Sequence, residues 1–136
     1  MANIGFILHQ RYQQEMIDCL APYHKIKIWD SIESAVSDLK ESIATVTAEQ
    51  LALIIVPSEV ETQRLTIFDL LKWIRRNSHY SKLPFLIVES RSSEVPSCVV
   101  SAVRQVGILF GATKHVALDA FNSRIFTQAV EECLKA

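Results

Sequence analysis

Glycine is scarce in this chain. The 136 residues hold three, Gly5, Gly107 and Gly111, too few and too scattered for a Gly-x-Gly-x-x-Gly turn or a phosphate-cradling loop. That sets aside the common dinucleotide- and nucleotide-binding signatures. Cysteine is equally thin: Cys19, Cys98 and Cys133 are an odd number at wide spacing with no Cys-x-x-Cys, so neither a disulfide framework nor a zinc cluster is indicated. No apolar run approaches the roughly 20 residues of a membrane span. The start Met1-Ala2-Asn3 lacks the basic-then-apolar pattern of a signal peptide, so the expected location is cytoplasmic, with no membrane partner. A surplus of either charge is missing too. Fourteen basic residues face fifteen acidic ones, for a net charge of -1, which argues against a dedicated nucleic-acid binder. What remains is a globular profile, 49% hydrophobic and 21% charged, with length for one domain over 1–136 and one proper core.

The apolar residues alternate between two periods. Leu51 to Val56 is a continuous apolar run ended by Pro57, which reads as a central strand buried on both faces. Ile4 to Leu8, Ile26 to Trp29, Leu83 to Val88 and His115 to Leu118 read as four more strands, the second alternating apolar with polar as an edge strand should. Between them lie helical stripes: Tyr12, Met16, Cys19 and Leu20; then Ile32, Ala35, Val36 and Leu39. Ile67, Leu70, Leu71 and Ile74 follow, in a helix expected to open between Val60 and Arg64. Pro96 suits a first helical turn before Val99, Val103, Val106 and Phe110, with Gly111 as the stop and Gly107 either interior or an earlier end. Asn122 or Ser123 caps a last helix with Ile125, Phe126, Ala129, Val130, Cys133 and Leu134 inward. Asp30 with Glu33 makes a capping box for the second helix. Strand and helix alternating about five times imply an α/β fold, a doubly wound parallel sheet with helices on both faces.

Leu70-Leu71-Lys72-Trp73-Ile74-Arg75-Arg76, the polar turn after it and Leu83-Pro84-Phe85-Leu86-Ile87-Val88 resemble the third helix and fourth strand of response-regulator receiver domains. Asp30-Ser31-Ile32-Glu33-Ser34-Ala35 and Gly111-Ala112 are similar to two further pieces of that scaffold, in the same order. The resemblance implies a flavodoxin-like, receiver-like sheet of five parallel strands in the order 2-1-3-4-5. It also implies a chemistry: an aspartate phosphorylated after the third strand, an acidic pair holding magnesium after the first, a Ser or Thr after the fourth and a Lys after the fifth. At the matching positions stand His9 and Gln10, Val56 or Pro57, Glu89, and Leu118 or Asp119. Phosphoryl transfer needs a nucleophile and a cationic clamp, and these residues supply neither. The chain therefore resembles a degenerate receiver, or pseudo-receiver: a non-catalytic signalling unit, without cofactor or metal, acting through protein contacts.

Other readings attach to particular residues. His9, Gln10, Ser58, Glu59, Glu89 and Asp119 would gather at the carboxyl edge of such a sheet, as a solvated polar rim or as a ligand or metal site of a small flavodoxin-like enzyme or binding unit. Arg64, Lys72, Arg75 and Arg76 beside Trp73 and Tyr80 read as a solvated basic face, the other reading being a nucleic-acid surface. His24, His79 and His115 are expected to be exposed or simply packed. Val106, Ile108, Leu109 and Phe110 cannot all face inward from one helix. They mark either an interface, for a protein partner or a second copy through the helix 4, strand 5 and helix 5 face, or a segment tucked into the sheet.

Overall fold

The computed structural model describes residues 2–7, 12–44, 51–57, 67–90, 104–118 and 121–135. In chain order these form β1 (Asn3–Ile7), α1 (Gln13–Leu20), β2 (Lys25–Trp29), α2 (Ile32–Ala44), β3 (Leu53–Pro57) and α3 (Ile67–Arg76). They continue through β4 (Phe85–Ser90), α4 (104–109), β5 (Lys114–Leu118) and α5 (Ser123–Lys135). The strands make one five-stranded sheet in the order β2-β1-β3-β4-β5, with every neighbouring pair parallel. This is the expected doubly wound, flavodoxin-like arrangement.

The period-2 alternation of the strands divides the core into two layers. Ile4, Phe6, Leu53, Ile55, Leu86, Val88, Val116 and Leu118 face α1 and α5, where Met16, Leu20, Phe126, Ala129, Val130 and Cys133 close over them. Ile7, Trp29, Ile54, Val56, Phe85 and Ile87 face the opposite way, against Ile32, Ala35, Leu39, Ile67, Leu70, Leu71 and Ile74. All five residues of β3 are buried, as a central strand requires, while β2 at the edge is mostly exposed.

Several local expectations shift. β4 runs on to Ser90 rather than ending at Val88, so Glu89 lies inside the strand, opposite Ala117, and not in a loop. Pro57 is the last residue of β3, opposite Val88. Pairing of β3 with β1 ends at Ile55, so the missing proline N–H interrupts no bond on that side. The cap of α2 is Ser31, whose Oγ accepts the Ser34 N–H at 3.0 Å; Asp30 stands one residue outside and accepts the Ser34 hydroxyl at 2.7 Å. A serine oxygen one bond from Cβ reaches N3 as well as an aspartate would. Ile125, expected inward, is 47% exposed. Gly107 is interior to α4 and Gly111, at φ +99°, is the stop. Val60 to Arg64, Pro96, Val99 and Val103 lie outside the described residues.

Asn122 caps α5, its Oδ1 accepting the N–H groups of Arg124 and Ile125 at 3.1 Å each. Asn122→Ala should lower stability by about 1 kcal/mol, read as a lower urea midpoint with unchanged denaturant slope.

Candidate functional site

In a parallel sheet of this order the chemistry-bearing positions are at the carboxyl ends of the inner strands. Val56 and Pro57 occupy the end of β3, both buried. Val56 packs among the apolar residues of α2 and α3, so it offers neither a nucleophile nor a ligand. Leu118, at the end of β5, is buried against α1 and α5. His9, Gln10, Ser58, Glu59 and Asp119 lie outside the described residues.

Glu89 departs from the solvated rim. It alternates with Phe85 and Ile87 and is 4% exposed. Its Oε2 stands 3.5 Å from His115 Nε2 and 3.7 Å from Arg104 Nη2. His115 projects from β5 to the same side, and its side chain is 2% exposed. Neither of its ring nitrogens has a hydrogen-bond partner among the described residues. Burial, aided by the Arg104 guanidinium, holds the imidazole pKa down at about 4, so the ring is neutral at neutral pH. Glu89 and the neutral imidazole of His115 are thus buried side by side, with the partly exposed guanidinium of Arg104, from α4, near the Glu89 side chain. Sequence pattern missed this arrangement because strand alternation marks which positions point inward only once the end of β4 is known.

No group of three or more metal-ligating side chains forms among the described residues. A cation at Glu89 would also meet the positive charge of Arg104, 3.7 Å from that carboxylate. The two thiols among the described residues are not activated: burial raises the Cys19 pKa and pushes Cys133 up to about 11, which leaves both as thiols near neutrality.

Around α4, Ile108 and Leu109 are 57% and 80% exposed. They sit on a helix, not in the sheet. Val106 and Phe110 are half-buried, Phe110 tilting against Phe68 with Lys72 Nζ 4.8 Å over its ring. The supposed basic face is not uniform either. Arg75 turns inward along the chain surface and donates from Nε and Nη2 to the Gly111 carbonyl and from Nη1 to those of Ser81 and Leu83.

The fold has counterparts among solved structures. CheY4, a chemotaxis response regulator of Vibrio cholerae, superposes with a TM-score of 0.73 at 18% identity, over 98% of each chain. The fold is that of response-regulator receiver domains. The receiver domain of NtrX from Brucella abortus superposes with a TM-score of 0.74 at 15% identity, again over 98% of each chain. The longer NtrX structure is covered over only 27% of its length. The signal receiver domain of a histidine kinase from Syntrophus aciditrophicus gives 0.72 at 17% identity, over 99% of this chain and 91% of that one. No family model matches the chain, and no curated protein does. At such identities the receiver likeness carries the fold, while function rests on the residues at its edge.

Proposed function

We propose that this receiver-like chain is a signalling module of the pseudo-receiver kind, which works through protein contacts and takes no phosphoryl group on aspartate. The observation that carries the reading is the end of β3, where the buried pair Val56 and Pro57 stands in place of the acceptor that the resemblance implies. In-line transfer needs an oxygen nucleophile with countercharge around the incoming group, and an isopropyl group and a pyrrolidine ring provide none. Glu89 in place of a hydroxyl residue places negative charge where a phosphoryl group would be neutralised. The role left to such a unit in a two-component or related pathway is to hold or release a partner. The exposed Ile108 and Leu109 are the apolar elements suited to that contact, with a protein partner or a second copy on the α4, β5 and α5 side.

Incubation with acetyl phosphate and magnesium should leave the intact mass unchanged. A saturable, hydroxylamine-sensitive aspartyl phosphate would overturn the reading. The competing reading, a ligand or metal site on the His9, Glu89 and Asp119 edge, predicts a rise in melting temperature with a metal or nucleotide. The burial of Glu89 against His115 and Arg104 favours the contact role over it.

A further inference from the structure

We propose that helix α4 is seated on the sheet by a proton-sensitive latch, in which His115 and Glu89 lie sealed beneath it with Arg104 across the carboxylate, and that acid favours the lifted helix. The inference goes beyond the signalling role and stands whether or not an aspartate accepts phosphate, because its readout is the helix itself.

Three observations locate the latch. Gly107, midway along α4, lies so near the sheet that a Cβ there would come within 2.6 Å of Ile87 Cδ1. Ile87 is the register partner of His115, so α4 approaches the sheet at the strand position paired with the imidazole. One helical turn earlier Arg104, with its side chain 43% exposed, reaches Glu89 from the solvent side. The same helix turns Ile108 and Leu109 outward, so part of its apolar surface contributes nothing to holding it down.

The charged groups facing His115 from the described elements are Glu89 of β4 and Arg104 of α4. On α3, Lys72 lies over Phe110 and Arg75 is engaged by the carbonyls of Gly111, Ser81 and Leu83. On β5, Lys114 pairs with Glu132 of α5, on the other face of the sheet. With α4 seated, burial and Arg104 hold the imidazole pKa at about 4; lifting the helix into water returns it toward 6.5. A depressed pKa contributes stability to the seated form above the solvated value, and that contribution is lost as pH falls toward the seated one. The window is therefore from pH 6.5 down to about 4. In the lifted form the proton rests on His115, and Arg104 is free in solvent. Ile108 and Leu109 move with the helix, so the apolar surface offered to a partner changes with pH.

Amide hydrogen exchange on the full chain, read by NMR at pH 7 and pH 5 as protection factors, tests this. The N–H groups of Phe110, Gly111 and Ala112 donate to Val106, Ile108 and Gly107, and that of Ala21, donating to Ile17 at the end of α1, is the internal reference. Relative to Ala21, protection of the α4 amides should fall about tenfold or more from pH 7 to pH 5. His115→Gln should abolish the fall, and Arg104→Gln should show weakened α4 protection already at pH 7. An unchanged ratio in the wild type, or a full pH response in His115→Gln, overturns the latch. If His115→Gln does not fold, Arg104→Gln decides, since its partly exposed side chain can be replaced without disturbing the core. Wild-type protection in that variant at pH 7 overturns the proposal.

Discussion

Arg75→Met should lower stability by about 2–4 kcal/mol, an effect larger than any single solvated arginine would produce. The guanidinium ties three backbone segments together at the amino end of the sheet. Its Nε and Nη2 donate to the Gly111 carbonyl at 3.0 and 2.8 Å, and its Nη1 to Ser81 and Leu83 at 3.1 and 2.7 Å. The end of α3, the entrance to β4 and the turn between α4 and β5 therefore share one planar donor. Hydrogen bonds from a charged donor contribute about 1.5–3 kcal/mol each when buried, and the exposure of the Gly111 side reduces the sum. Methionine keeps the aliphatic stem and removes every donor. Arg75→Lys should recover less than half of the loss, because an ammonium cannot span three carbonyls as a flat fork does. Urea denaturation of the three proteins measures both effects; equal stability of Arg75→Lys and wild type would show that charge alone suffices.

Gly5→Val should be the most damaging glycine substitution, costing about 3 kcal/mol or more as overpacking of a sealed core. A Cβ on Gly5 would overlap ring carbons of Trp29. The indole cannot easily yield: Trp29 is 4% exposed, and its Nε1–H donates to Asp38 Oδ2 at 2.9 Å. Asp38 is itself held by Lys27, from the same strand as Trp29. A smaller residue at 29 makes room, so Gly5→Val combined with Trp29→Leu should be less destabilised than the sum of the single changes. A double-mutant cycle in urea gives the coupling directly. Strict additivity would mean that the ring does not occupy the space above Gly5.

These two contacts mark the boundary of what the sequence could reveal. Strand and helix placement was legible because burial follows local period: Leu70, Leu71 and Ile74 lie inward on α3, and Phe126, Ala129 and Val130 on α5. The order of the strands followed from the receiver resemblance together with the alternation. Arg75 was read as solvated because a basic residue late in a helix satisfies the helix dipole in water equally well; only the return of Gly111 beside it, 36 residues on, makes it a clasp. Gly5 gave no hint either, since its reason for being glycine is a ring from the neighbouring strand. Glu89 was legible as a position but not as an environment. A single extra pair of strand residues carries it under α4, where the imidazole of His115 and the guanidinium of Arg104 replace the expected solvent. The candidate residues His9, Gln10 and Asp119 lie outside the described residues.

The edge strand β2 has a consequence for assembly. It pairs with β1 alone, and Lys25 and Lys27 stand exposed along it, two residues apart. A second copy adding its own β2 there would have to desolvate Lys25 and the Lys27–Asp38 ion pair of each chain, which opposes strand pairing. Growth of the sheet into a longer ribbon is thereby discouraged at that margin. A high-salt medium that screens these charges is the condition under which that safeguard weakens.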